Sequence, residues 1–523
     1  MPPAEPLSIP AISPFQRRIV LVGMMCGVSL AAIDQMVLAT AVGTIAGELG
    51  DMSQAPWIFT ANLLASAASM PIWGKLGDLY GRRRVFLSAV GLFIIASLLA
   101  AESRSMGELL ICRGLQGLGG GALLTMPYAI LADVVAPRER PAYVAFVTVV
   151  WTVAGMLGPP LGGLIVDGPG WRWMFYLNVP AALAAFGLLQ WGYRIPRERL
   201  EHRVDFPGAA LLFCAVGTLI LYTSWAGRAF GWAAPGPLGL LAASVALGAG
   251  FFSWERRAAE PIVELALLRV RAVWAPLLTT FLYGLSNFAI TFLIPLFGLV
   301  VRGNGAVEAG LGLMPLTFGL LVSGIVVGRL AAATQRYRRY AMAGLAIYAA
   351  GLVLLSTASA ETPRALYWTY SLILGLGSGP LNPVLIASLQ NAVPPRHLGV
   401  ASSLPGFARA VAQTIGSSAL GALLGVRFAA HLENDVRPIV APGTPLDGLA
   451  GSPEAIRALA EPLRTVVVEA YRSAFAETFL AMVALIACSG IAASRMLDPA
   501  RAGRPPSGAP SGPGGAAKEA SGG

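Results

Sequence analysis

The sequence predicts an all-α polytopic membrane protein with fourteen transmembrane helices, arranged as two six-helix bundles plus two inserted helices. First, only 12% of the 523 residues are charged and 56% are hydrophobic, whereas a soluble domain carries about 25% charged residues. Second, the apolar residues form runs close to the roughly 20 residues that cross a bilayer. Third, two motifs recur along the chain at nearly the same spacing.

The apolar runs define the individual spans. They are continuously apolar and do not alternate with polar residues, so helices rather than barrel strands are expected. The predicted spans are residues 19–41, 57–74, 85–101, 107–131, 142–166, 173–193, 207–226, 235–254, 272–300, 308–328, 341–358, 367–389, 408–427 and 475–496.

The repeated motifs divide the chain into halves. Residues 117–121 read Gly-Leu-Gly-Gly-Gly, and residues 375–379 read Gly-Leu-Gly-Ser-Gly. Likewise, segment 74–84 is echoed by segment 328–338, each with Gly, a basic residue and Leu followed by arginines. The copies lie eight spans apart rather than six, which indicates two inserted spans between six-span halves. Parallel six-span halves of this kind are a known transporter architecture.

This interpretation gives the following division of the chain. We expect a cytoplasmic N-terminus at 1–18, an N-terminal six-helix bundle at 19–193, a cytoplasmic linker at 194–206, an inserted helix pair at 207–254, a cytoplasmic linker at 255–271, a C-terminal six-helix bundle at 272–497 with a long outer loop at 428–474, and a disordered cytoplasmic tail at 498–523.

The net charge of +10 does not indicate a nucleic-acid partner. The basic residues are concentrated in short loops on one side of the predicted spans, which is the bias that sets membrane orientation. Both termini are therefore expected to be cytoplasmic, and the partner of the chain is the lipid bilayer. The basic clusters are 17–18, 75–84, 194–203, 256–271 and 336–339.

Enzymatic and metal chemistry have little support in the sequence. The four cysteines all fall within predicted spans, where they are expected to pack as small apolar residues. The three histidines (His202, His397 and His431) lie in predicted loops, and no HExxH motif or phosphate-binding loop is present. We therefore expect no cofactor, no metal ion and no catalytic residues.

Several short motifs resemble those of one transporter family. Their residues are 74–85 between spans 2 and 3, Arg113-Gly114-Leu115-Gln116-Gly117 in span 4, Gly158-Pro159-Pro160-Leu161-Gly162-Gly163 in span 5, and Trp171-Arg172-Trp173-Met174-Phe175 before span 6. In this order the motifs resemble the major facilitator superfamily, and within it the 14-span drug:proton antiporters of the QacA/EmrB type. One departure is Leu79, which stands where the wider superfamily often has Arg.

The resemblance implies a proton-coupled multidrug efflux antiporter that works by alternating access. The implied protein is a multi-pass monomer of a bacterial plasma membrane. It would exchange protons for amphipathic, cationic or lipophilic compounds and confer antibiotic resistance. Export of an endogenous metabolite, lipid or antibiotic on the same scaffold stays open. A non-transporting membrane sensor is a further alternative.

Asp34 and Arg113 are the candidate proton-coupling residues. An acidic group at membrane depth costs at least ~2.5–3.5 kcal/mol on insertion scales and usually marks a pathway or proton relay. Asp34 could bind a proton, a cationic substrate or both. The resemblance implies that Arg113 assists proton transfer, whereas a structural role joining spans 1 and 4 is equally open.

The segment between spans 2 and 3 is the candidate cytoplasmic gate. Asp78 is expected to meet the positive N-terminus of a helix in the other half, and the arginines are expected to pair with acids such as Asp133. Alternatively, the arginines serve only as topology signals. The gate residues are Gly74, Asp78, Gly81, Arg82, Arg83 and Asp133.

The antiporter motif in span 5 predicts a close helix contact. Small residues four apart let helices approach, and prolines remove backbone hydrogen bonds. We expect Gly158, Pro159, Gly162 and Gly163 to form a kinked seam between the halves, although ordinary close packing would use the same residues.

Polar and aromatic residues within spans are candidates for the substrate cavity. These are Asp34, Asn62, Gln116, Trp151, Tyr283, Asn287 and Asn382. Arg409, at the predicted start of span 13, is expected to be an interfacial residue whose charge reaches the membrane surface, with substrate contact as the alternative.

Overall fold

The computed structural model describes residues 13–49, 57–193, 205–226, 234–258, 261–394, 397–437, 456, 459–461 and 463–498. Regular structure in this part of the chain is helical, which confirms the all-α fold class. Thirteen of the described helical segments are long and apolar enough to cross a membrane. The helix at the second predicted span is present but is not among these thirteen.

The first eight helices coincide with the first eight predicted spans. They are α1 Pro14–Leu49, α2 Trp57–Tyr80, α3 Arg82–Ala101, α4 Met106–Val134, α5 Arg140–Asp167, α6 Arg172–Gly192, α7 Phe206–Ala226 and α8 Pro235–Glu255.

The remaining helices follow the same order but are more broken. They are α9 Leu265–Arg269, α10 Arg271–Asn287, α11 Ala289–Val300, α12 Ala306–Leu311, α13 Met314–Thr334, α14 Tyr337–Ser356, α15 Arg364–Ser378, α16 Leu381–Gln390, α17 Leu398–His431 and α18 Leu463–Ser494, with a π-helical turn Leu432–Val436 after α17.

Three predicted single spans are built from two helices each, and the one at 308–328 divides between α12 and α13. The span at 272–300 divides at Phe288 into α10 and α11, and the span at 367–389 divides at Gly379 and Pro380 into α15 and α16. A proline lacks the backbone N–H that helix continuation needs, which accounts for the break at Pro380.

The predicted outer loop at 428–474 is wrong at both ends. The helical structure continues to Val436, and α18 already begins at Leu463. The loop residues 438–455 lie outside the described part of the chain, as do most of linker 194–206 and nearly all of tail 498–523. The other domain boundaries stay predictions.

The repeated glycine motifs occupy equivalent positions in the packing. A Cβ on Gly117 or Gly121 of α4 would meet the α2 backbone, and one on Gly119 would meet α3 at Ala89 O. In the second copy, Gly375 packs on the α13 backbone and Gly377 on the α14 backbone. The same three-helix packing therefore occurs twice in the chain.

The apolar core is divided in a way that agrees with this repeat. One buried cluster is built from α1, α3, α4, α5 and α6, with Ile386 of α16 at its edge. Another is built from helices between α10 and α18. A third cluster joins α2 and α17 to α7, so the pair α7–α8 lies beside both halves. Trp254 Nε1 of α8 donates to Asp205 Oδ1 just before α7, at 2.7 Å.

Candidate functional site

A buried carboxylate, Asp34 of α1, lies at the centre of a polar cluster. Its Oδ2 accepts from Arg113 Nη1 of α4 at 2.9 Å. Its Oδ1 accepts from Gln116 Nε2 at 2.9 Å and from Asn178 Nδ2 of α6 at 2.7 Å. The contact that sequence left open, between Asp34 and Arg113, is therefore present. Three side-chain donors from α4 and α6 thus meet at this one carboxylate.

Arg113 is fully buried and links α4 to its neighbours. Its Nε donates to Ile58 O of α2 at 3.2 Å, and its Nη1 also donates to Gln116 Oε1. Its guanidinium carbon lies 6.0 Å from the centroid of the Phe175 ring. Within the described structure Nη2 is buried and has no hydrogen-bond partner. An unsatisfied buried donor is costly, so Arg113 depends strongly on the acceptors that it has.

The Gly74–Arg84 end of the molecule, here called the gate end, is closed by contacts between the halves. Asp78 Oδ1 accepts from Gly399 N at 2.8 Å, and Asp78 Oδ2 accepts from Val400 N at 3.0 Å. Both N–H groups belong to the first turn of α17, where the helix dipole is positive. The predicted meeting of Asp78 with a helix N-terminus of the other half is present.

Arg82 is buried at the gate, and its described partners all belong to the N-terminal half. Its Nη2 lies 3.2 Å from Asp78 Oδ1, and its Nη1 donates to Asp133 and to Ala129 O of α4. Tyr193 also donates to Asp133. Arg82 thus holds Asp78 in place rather than crossing to the other half, and Arg83 donates to Gln190 O of α6 at 2.5 Å.

Further hydrogen bonds join the halves at the gate end. They run from Arg140 Nη1 to Asn391 Oδ1 at 2.9 Å, from Gln390 Nε2 to Tyr128 O at 2.9 Å, from Asn391 Nδ2 to Pro137 O at 3.2 Å, and from Gln335 Nε2 to Arg138 O at 3.0 Å. Together with Asp78, these contacts seal one end of the interface between the halves.

Glycine is required at two gate positions, Gly74 and Gly81, for different structural reasons. A Cβ on Gly74 would lie 2.8 Å from Gly399 O, so α2 and α17 touch backbone to backbone there. Gly81 joins α2 to α3 with φ of 87° and has no atom near its Cβ position. Its role is the backbone conformation of the turn.

The sequence predicted that the span 5 motif forms a seam between the halves. In the structure its glycines Gly158 and Gly162 contact α1 of the same half instead. Gly158 packs on Met36 and Val37 of α1, and a Cβ on Gly162 would lie 2.6 Å from Val37 O. Gly163 has no atom within 4 Å of its Cβ position. Pro159 lies within helix α5, and its side chain is outside the described set. The motif joins two helices of the same half because its small face points to α1.

The seam between the halves uses the other part of α5. Gly328 of α13 packs on α5, where its Cβ would lie 2.6 Å from Ala145 Cβ and 3.0 Å from Pro141 O. Deeper along α5, Thr148 Oγ1 accepts from Asn382 Nδ2 of α16 at 2.8 Å.

Three of the cavity candidates have structural partners within one half. Asn62 Nδ2 donates to Arg113 O at 3.4 Å, and Gln116 is fully buried in the Asp34 cluster. Trp151 is half-buried and packs against the apolar core of the N-terminal half. The buried Asn62 and Gln116 are therefore positioning residues for Arg113 and Asp34.

The remaining candidates form a second polar group in the C-terminal half. Asn287 Nδ2 donates to Tyr283 Oη at 2.5 Å, and Arg409 Nη1 donates to Asn382 Oδ1 at 3.0 Å. Arg409 lies eleven residues after the start of α17, which places it about 16 Å along the helix. Because α17 begins ten residues before the predicted span, Arg409 lies within the helix rather than at its start.

Several residues that complete these sites were not singled out from sequence. Asn178 and Ser97 belong to the Asp34 cluster, and Arg140, Gln390 and Asn391 belong to the gate. The signal for Asn178 was an amide within an apolar run. At the end opposite the gate, Arg172 and Trp171 donate to Glu48, and these hydrogen bonds to the charged carboxylate lower the pKa of Glu48 from its ordinary value.

The order of the helices, their twofold packing and the buried ionic cluster can now be compared with known proteins. The family model of the Major Facilitator Superfamily matches residues 24–417. The chain belongs to the Major Facilitator Superfamily. It is accordingly a multi-pass integral membrane protein of a transporter family.

Relatives in the superfamily cover most of the chain. An uncharacterised MFS-type transporter of Mycobacterium tuberculosis is 33% identical over 482 residues, which is 91% of this chain and 69% of the relative. Multidrug resistance protein 3 of Bacillus subtilis is 32% identical over 408 residues, covering 77% of this chain and 79% of the relative.

Solved structures confirm the superfamily fold. The human organic anion transporter MFSD10 matches with a TM-score of 0.56 at 16% identity, over 90% of this chain and 99% of that chain. The proton:xylose symporter XylE matches with a TM-score of 0.54 at 13% identity, over 90% and 95%. At this identity the likeness concerns the fold alone.

Proposed function

We propose that this protein is a proton-coupled efflux antiporter of the 14-span QacA/EmrB type that exports amphipathic compounds. It acts as a monomer in a bacterial plasma membrane, with both termini in the cytoplasm. The observation that carries the proposal is the buried ion pair of Asp34 and Arg113, with its further donors Gln116 and Asn178.

Proton coupling follows from the chemistry of this cluster. When Asp34 binds a proton, the carboxylate loses its charge and Arg113 loses its counter-ion. A buried charge without a partner is unstable by several kcal/mol. Arg113 would therefore need water or a new acceptor, and its second amino group, Nη2, is still available for one. This change at α1 and α4 supplies a reason for the helices to move.

Alternating access fits the way in which the halves are joined. The described contacts between the halves lie at the gate end and at mid-depth near Thr148. Opening of the cavity toward the cytoplasm therefore requires loss of the Asp78 contacts with α17. We infer that the arrangement represents the state whose cytoplasmic end is closed.

The substrate class follows in part from Asp34. A free carboxylate would attract cationic compounds, but both oxygens of Asp34 already accept hydrogen bonds and the residue is buried. This geometry favours the proton over a cation as the ligand of Asp34. Names such as Multidrug resistance protein 3 support amphipathic, lipophilic drugs as substrates.

The coupling role of Asp34 can be tested in membrane vesicles with an imposed proton gradient. Asp34→Asn removes the protonation site with little change in size, so we expect proton-driven efflux of every fluorescent substrate to be lost. Asp167→Asn is the control, because Asp167 lies exposed at the end of α5 in the same half. If gradient-driven efflux persists in a folded Asp34→Asn variant, the proposed coupling is wrong.

A further inference from the structure

We infer that Arg409, together with Asn382, forms a positively charged subsite at mid-membrane that binds the carboxylate of an amphipathic substrate. The inference rests on the proposed export function and specifies its substrate: an amphipathic acid rather than an amphipathic cation.

The position of Arg409 is unusual for a charged side chain. It lies about 16 Å along α17 from Leu398, near the middle of a hydrocarbon core about 30 Å thick. An ionised group at this depth is costly and marks a substrate or ion pathway. The residue is only half-buried.

The Arg409 side chain points toward the interface between the halves. Arg409 Nη1 donates to Asn382 Oδ1 of α16 at 3.0 Å. The amide of Asn382 donates in turn to Thr148 Oγ1 of α5 at 2.8 Å. Arg409 is therefore at the boundary between the two halves rather than on the lipid-facing side of α17.

The charge of Arg409 is not balanced by the protein. Its hydrogen bond goes to a neutral amide, and no carboxylate of the described residues is paired with it. By contrast, Arg113 is paired with Asp34, and Arg82 with Asp78 and Asp133. Of Arg82, Arg113 and Arg409 in the described structure, Arg409 is thus the one without a carboxylate partner.

The donors around Arg409 suit a carboxylate. A guanidinium has five N–H groups in a planar fork that matches two carboxylate oxygens, and only Nη1 has a described protein acceptor. Tyr283 and Asn287 of α10 lie on the adjoining helix, where a Cβ on Gly284 would be 3.6 Å from Arg409 Cα.

Two dansyl probes test the inference, because they share one fluorophore and differ in charge. Dansylglycine carries a carboxylate, and dansylcadaverine carries an ammonium group. Uptake into proteoliposomes under an imposed proton gradient gives KM for each probe. We expect the wild-type protein to transport dansylglycine with the lower KM.

The decisive variant is Arg409→Gln, which keeps a hydrogen-bond donor for Asn382 and removes the charge. We expect KM for dansylglycine to rise about tenfold or more, while KM for dansylcadaverine changes by less than about twofold. Arg409→Lys keeps the charge and should recover most of the lost affinity. Arg427→Gln, an exposed position on the same helix paired with Glu477, is the control and should change neither value.

The outcomes separate the inference from the proposed function. Equal losses for both probes in Arg409→Gln would show a structural role and overturn the inference. Gradient-driven transport of dansylcadaverine without transport of dansylglycine would overturn it while leaving proton-coupled export intact. Transport of dansylglycine that ignores the gradient would support the subsite and contradict proton coupling. Transport of neither probe would overturn both the inference and the proposed export function. If a variant fails to fold, the wild-type KM values for the two probes decide the charge preference.

Discussion

Arg82 and Arg84 have the same charge and stand two positions apart, but only one is part of the gate. Arg82 is buried and contacts Asp78, Asp133 and Ala129 O, whereas Arg84 is exposed. A topology signal needs only charge near the membrane. Arg82 therefore belongs to the gate because it is buried and paired, whereas exposed Arg84 needs only its charge to act as an orientation signal.

Substitution of these two arginines separates the roles. Arg82→Gln leaves Asp78 and Asp133 without their counter-ion, and loss of one partner from a buried pair costs about 3–5 kcal/mol. We expect a clear fall in the thermal unfolding midpoint of the detergent-solubilised protein. Arg84→Gln should stay within about 0.5 kcal/mol of wild type. Equal effects on the two midpoints would mean that the buried contacts of Arg82 do not stabilise the fold.

The Asp34 cluster shows how neutral residues determine what a charged pair can do. Gln116 donates to both Asp34 Oδ1 and Ser97 Oγ, each at 2.9 Å, and accepts from Arg113. Buried polar networks are stable only when their members are satisfied. Gln116 and Asn178 therefore position the carboxylate of Asp34, although both residues are neutral.

At the scale of elements, the gate is a contact between one side chain and one helix end. Asp78 on α2 caps the first turn of α17 in the other half. At the equivalent position of the repeat stands Ala332, which has no acceptor side chain. There, Gln335 ends α13 with φ of 55° and donates to Arg138 O. The two halves thus close by different means.

Loss of the Asp78 cap should favour the state that opens to the cytoplasm. Removal of a helix cap costs about 0.5–2 kcal/mol, which is a shift of roughly 2- to 30-fold between the two states. In inside-out vesicles, Asp78→Ala should increase the labelling rate of Thr148→Cys by an impermeant thiol reagent within this range. Glu108→Ala, which alters an acid at the other end of the N-terminal half, should leave the rate unchanged. A rate unaffected by Asp78→Ala would exclude a latch role for Asp78.

The glycine repeats explain how helices of each half come together. Gly117 and Gly121 admit α2, and Gly375 and Gly379 admit α13, in each case at the backbone. Helices in lipid gain little from the hydrophobic effect against one another, so close van der Waals contact carries the association. The motif therefore identifies equivalent helices through packing as well as sequence.

At the scale of the whole molecule, the distribution of charge sets how transport responds to voltage. The coupling group Asp34 has a counter-ion within its own half. Arg409, at the boundary between the two halves, has no counter-ion among the described residues. If Arg409 binds an organic monoanion, exchange of one anion for one proton moves two charges in the same direction across the membrane. Exchange of a monovalent cation for one proton moves no net charge.

Voltage therefore distinguishes the two substrate classes. A potential of 100 mV contributes about 2.3 kcal/mol per charge, hence about 4.6 kcal/mol for exchange of a monoanion with a proton. In proteoliposomes with a potassium diffusion potential, we expect dansylglycine transport to accelerate when the compartment that it leaves is negative. Dansylcadaverine transport should respond weakly. Voltage-independent transport of dansylglycine would contradict one-for-one exchange with a proton.

The sequence by itself determined the helical spans, the repeat and the residue types at the two charged sites. Length and apolarity are local properties, and a bilayer accepts only segments whose backbone is satisfied internally, so spans can be identified without knowledge of contacts. For the same reason Asp34 and Arg113 stood out, because charge within an apolar run is costly wherever the helix packs.

Only the tertiary structure decided which of these residues meet. Asp34 and Arg113 are separated by 79 positions, and their contact depends on the rotation of α1 and α4 about their axes. The Gly158 motif was predicted between the halves and packs on α1 instead, because the same small face could fit either neighbour. Arg409, predicted at the start of its span, lies eleven residues inside α17, because that helix begins at Leu398. Helix rotation and helix ends are set by packing between elements, which no single run of residues specifies.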